Sequence, residues 1–78
     1  MTDGPRQVAV RLTREQATYL AKSLSEAIEY VHASAQEDRR YGHLDDAEAG
    51  EDKADLWRAL LAKVERVSMQ AWGATWRD

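Results

Sequence analysis

Apolar residues recur three and four positions apart along two long stretches of the chain, the spacing of a helix with one greasy side. The clearer stretch is Ala54 to Trp72, where Trp57, Leu60, Leu61, Val64, Val67 and Ala71 form a stripe. The other runs from Ala17 through Leu20, Ala21, Leu24, Ala27, Ile28 and Val31 to Ala35, in a heptad-like alternation of threes and fours. Before it, Gln7 to Leu12 alternates at period two, with Val8, Val10 and Leu12 on one side. That pattern predicts a short strand, or an extended segment packed on the helices.

Local signals place the boundaries. Thr13 and Gln16 have the spacing of a capping box, which predicts helix 1 over 14–41. Gly42 suits the left-handed position after it, and Arg39 and Arg40 suit its negative end. Asp45 and Glu48 form a second cap-like pair, predicting helix 2 over 46–72, although Asp52 offers a later start and Gly50 weakens the first turns. Gly73 is a natural stop, leaving a tail over 74–78. Residues 1–6 read as a flexible lead-in, and 7–12 as the extended segment or strand.

Two helices of similar length with a short connection should pack antiparallel, so the fold class is an all-α, two-helix hairpin. Two helices make a seam rather than an interior. Tyr19, Tyr30, Leu56 and Trp72 are too bulky for one narrow stripe, and Trp76 lies beyond the last helix signal. These five form the expected interface set. A homodimer, with two hairpins in a four-helix bundle, would cover them. For Trp76 the favoured expectation is that the tail folds back and caps the core of its own chain, with the interface role beside it.

Composition narrows the class. With 78 residues the chain is one domain, and a core this small rarely contributes more than about 3–5 kcal/mol without a staple. No cysteine is present, so a second subunit is the available staple. The net charge of −3 does not favour non-specific nucleic-acid binding. There is no apolar run of membrane-spanning length and no signal-peptide pattern, so the expected location is the cytoplasm. Cationic residues are mostly Arg and Ala is abundant, a bias of GC-rich bacterial or phage coding sequences.

Candidate chemistry is sparse. His32 and His43 lack the compact ligand set of a transition-metal site, and the carboxylates from Asp45 to Asp55 lack the calcium-loop pattern. Ser23, Ser25, Ser34 and Ser68 have no base beside them in a pocket. The expectation is a non-enzymatic protein-interaction or accessory module, needing no cofactor and binding a protein partner.

One resemblance supplies the alternative. VAVRLTREQATYL resembles the opening of ribbon-helix-helix repressors, and SLSEAIEYV resembles the start of that family's second helix. The resemblance implies a dimeric DNA-binding repressor whose strand enters the major groove. Gln7, Ala9 and Arg11 would then face bases, and Arg6 a phosphate. The sequence departs from the family in having no glycine-bearing turn between these motifs, because the heptad stripe runs straight through from Ala17 to Val31.

Overall fold

A computed structural model describes residues 9–77. Its two elements are α1, Arg14–Arg40, and α2, Leu44–Trp72, packed against each other as a hairpin. The lead-in over 1–6, Gln7, Val8 and Asp78 lie outside the described residues, and residues 9–12 carry no strand.

α1 starts where the capping box requires. The Gln16 N–H donates to Thr13 Oγ1 at 3.1 Å, and the Thr13 N–H donates to Gln16 Oε1 at 2.9 Å. Each side chain satisfies a backbone donor that the first turn leaves without a partner. Thr13→Ala should therefore lower stability by about 0.5–2 kcal/mol, read from the urea midpoint. A change below a few tenths would mean that this cap contributes nothing.

α1 ends one residue before the expected Tyr41, which is its C-cap. The Gly42 N–H donates to the Arg39 carbonyl at 3.2 Å, and the His43 N–H donates to the Asp38 carbonyl at 2.7 Å. This pair of backward bonds is the Schellman closure, and it holds Gly42 at φ +82°, a conformation in which a side chain is strained. The closure delivers the chain directly into α2 at Leu44, two residues earlier than expected. His43, not Asp45 or Asp52, is the N-cap, and its side chain makes no capping bond. Asp45 and Asp46 sit instead in the first turn, where carboxylates offset the positive end of the helix dipole.

The seam is built largely of small residues. Ala17, Ala21, Leu24, Ile28 and Ala35 are buried from α1. Ala47, Ala54 and Ser68 are buried from α2, and half-buried Leu61 completes a strict seven-residue series with them. At the turn end, helices without long side chains between them approach closely. A Cβ built on Gly50 would stand 3.4 Å from the Ala35 Cβ and 3.6 Å from Val31 Cγ1. Gly50 therefore does not fray the helix start as its propensity suggests. It sits inside α2 at a close crossing. Alanine there just reaches van der Waals contact and gains about 1 kcal/mol of helix propensity. Gly50→Ala should raise the melting temperature and Gly50→Leu, which must wedge the helices apart, should lower it. The opposite order would show that the crossing is looser than described.

The tail completes the core at the other end. After Gly73 the chain turns, and Trp76 returns onto α1 with 3% of its surface exposed. Ala17 and Ala21 provide a flat floor for the indole, with Leu61 and Val64 packed alongside. The Arg14 guanidinium holds the tail down, donating from Nε to the Trp76 carbonyl at 2.6 Å and from one terminal nitrogen to the Thr75 carbonyl at 3.1 Å. The Trp72 and Trp76 rings stand 6.3 Å apart and tilted. Arg77 lies over the Trp76 ring at 5.2 Å and reaches Glu65 at 3.4 Å. Trp76 thus caps the core of its own chain, the outcome favoured for the tail over the interface role.

Candidate interaction face

A two-helix seam has two open sides, and they differ in chemistry. Relative to the buried series Ala47, Ala54, Leu61 and Ser68, the next line on α2 is Gly50, Trp57, Val64 and Ala71. Beyond that line stand Leu60 and Val67, 43% and 55% exposed. Residues seven apart share a helix face, so these lines run along one side of the hairpin.

Clefts at the two ends of the seam open on this same side. Near the tail, Leu12 faces Val64, Val67, Ala71 and Trp72 around a cleft of about 240 Å³. Near the turn, Tyr30, Val31 and Ser34 face Ala49, Gly50 and Lys53 around one of about 300 Å³. Gly50 in one and Val64 and Ala71 in the other belong to a single line, which fixes the common side. Between them α1 contributes Leu20 and Ala27, both half-buried. The result is an apolar face extending along the hairpin.

The other side is polar or already covered. The Trp76 tail occupies one end, where Arg14, Thr18, Tyr19 and Lys22 border a shallow hollow of about 530 Å³ beside Trp76 and Arg77. Farther along, Arg39 bridges the helices to Glu51 at 2.6 Å, with both side chains substantially exposed. Such a pair contributes at most about 1 kcal/mol. Arg58 and Asp55 pair at 2.9 Å within α2.

No protein-family model, curated protein or solved structure matches this chain.

The expected interface residues therefore separate. Tyr30 and Leu56 are 76% and 70% exposed, and Tyr30 borders the apolar face. Trp72, 38% exposed, closes its tail end. Tyr19 is 74% exposed but borders the hollow beside the tail. Leu60, Val67 and Leu12 are exposed contributors that the stripe reading did not assign to an interface, having placed Leu60 and Val67 within the packed stripe. The signal that separates them is the seven-residue series through Ala47 and Ser68, whose small or polar members rank low on hydrophobicity.

Of the residues implied by the repressor resemblance, Arg6 and Gln7 lie outside the described residues, while Ala9 and Arg11 are exposed on an irregular stretch. The two resembling segments lie within or just before one unbroken α1, with no turn between them. Among the described residues no group of three His, Cys, Asp or Glu side chains converges as a metal site, and no helix is long and apolar enough to cross a membrane. His32 contacts Gln36 at 3.2 Å on the surface of α1, and His43 lies 3.8 Å from Asp38 at the turn.

Proposed function

We propose that this protein is a small non-enzymatic interaction module of the cytoplasm that works as a homodimer. Two hairpins join through their apolar faces into a four-helix bundle, whose outer surface receives a protein partner. The observation that carries this reading is the open line of Leu60 and Val67, flanked by Val64, Ala71 and Trp72. Contiguous apolar surface of this kind marks an interaction site more often than it is tolerated in water. Its size also suits a second subunit. Two helices about 40 Å long and together about 20 Å wide present about 800 Å², the share of each partner in a standard interface. The continuity of α1 favours this reading over the repressor, whose family places a turn between its helices.

Sedimentation equilibrium tests it. The expected mass at micromolar concentration is twice the 8.9 kDa of one chain. A mass of one chain throughout that range would overturn the dimer. Steeply salt-dependent binding to random duplex DNA would instead favour the repressor reading.

A further inference from the structure

We propose that the second copy docks on the apolar face in the opposite direction, its turn lying against the open end of the first hairpin. This inference rests on the homodimer reading and assigns its orientation. Both orientations bury the same apolar residues, so apolar area cannot choose between them. Charge can. Residues 37–55 around the turn hold eight carboxylates against three cations, Arg39, Arg40 and Lys53. At the open end the balance reverses. Residues 9–24 and 60–77 hold six cations against two carboxylates, Glu15 and Glu65. Each hairpin is thus negative at the turn and positive at the other end.

The charges reach the rims of the face itself. Asp38, Asp46 and Lys53 border the cleft at the turn, and exposed Arg11 adjoins Leu12, which lines the cleft at the open end. A two-fold axis along the helices would set turn against turn and open end against open end, placing like charges together at both poles. A two-fold axis perpendicular to the helices sets each acidic turn against a basic end. The like-charge arrangement is disfavoured at both ends, and complementary potentials fix the register of an association whose apolar contacts are indifferent to it. The perpendicular axis passes the middle of the hairpin, near Ala27, where a small side chain permits close approach of the two copies.

The chain has no cysteine, so one introduced thiol labels one site. Tyr41→Cys, at an exposed position on the turn, would carry a nitroxide for pulsed dipolar distance measurement on protein whose dimer mass is checked by sedimentation. Tyr41 stands about 20 Å along the axis from Ala27 at a rise of about 1.5 Å per residue. The opposed dimer then separates the two labels by about 40 Å. A dimer with labels within the bundle width of about 20 Å would overturn the orientation and leave the dimer standing. A labelled protein of one-chain mass would overturn the dimer reading, and the orientation with it. Arg11→Glu, at an exposed position beside the open-end cleft, gives an independent sign. In the opposed dimer it sets a new carboxylate toward an acidic turn, and the dissociation constant at low salt should rise about threefold or more, because symmetry makes the change twice. A fall in that constant would show that like poles meet.

Discussion

Trp76→Ala should cost about 3–5 kcal/mol, the largest loss available to a single substitution in this protein. Among the described residues the indole is the one large aromatic side chain that the hairpin buries, and it packs over Ala17 and Ala21 with Leu61 and Val64 alongside. Its removal leaves a cavity beside Leu61 and Val64 and withdraws the reason for the tail to return. Because a core of this size contributes only about as much in total, the variant should be largely unfolded, or melt far below the wild type, by circular dichroism. Arg14→Ala should reproduce part of this loss, since its guanidinium holds the Thr75 and Trp76 carbonyls. The two changes act on one docking event, so their effects should fall short of additive. Additive losses would mean that Arg14 stabilises the protein by some route other than the tail. A cost under about 1 kcal/mol for Trp76→Ala would mean that the tail is not docked in solution.

Leu60→Glu should separate the subunits while leaving each hairpin folded. Leu60 is 43% exposed in the single chain, lies outside the buried seam and is replaced by a residue of comparable helix propensity. Its own chain therefore loses little. In the dimer the same position is covered twice, once in each copy. The variant forfeits about 1.5–3 kcal/mol of apolar burial per copy and asks a carboxylate to enter an apolar contact. The dimer should weaken by about a hundredfold or more, which is roughly 3 kcal/mol. Sedimentation at a concentration where the wild type is dimeric should return 8.9 kDa. Its melting temperature should match the limit that the wild type approaches on dilution. Ala62→Glu, at an exposed position on another line of α2, should leave the mass unchanged. Equal dimerisation of Leu60→Glu and wild type would place the interface elsewhere.

Trp72 makes a less decisive probe than its position near the end of α2 suggests. It contributes to the apolar cleft, but its ring also stands 6.3 Å from Trp76. Truncation would disturb the docked tail as well as the face, and the two effects would be read together in any melting curve. Leu60 and Val67 have no such double role, which is why the association test is placed there.

Several features of this protein are determined locally and can be read from the chain. The existence of two helices follows from apolar spacing sustained over many turns. The start of α1 follows from Thr13 and Gln16, because a capping box is completed by side chains three residues apart. The stops at Gly42 and Gly73 follow from their freedom to adopt positive φ. Other features depend on what comes together in space. α2 begins at Leu44 because the Schellman closure at the end of α1 aims the chain there, and the carboxylates that look like caps are left in the first turn. Gly50 lies inside a helix because α1 passes close to it, an advantage that single-residue propensity does not contain. Trp76 is buried because Ala17 and Ala21, some 60 residues earlier, leave it a floor. The choice of seam has the same origin. Hydrophobicity ranks Leu60 and Val67 above Ala47, Ala54 and Ser68, yet the small residues are the ones enclosed. Apolar spacing tells which side of a helix avoids water, whereas the closeness of two backbones selects the small residues on that side, and the larger ones are left for whatever packs next.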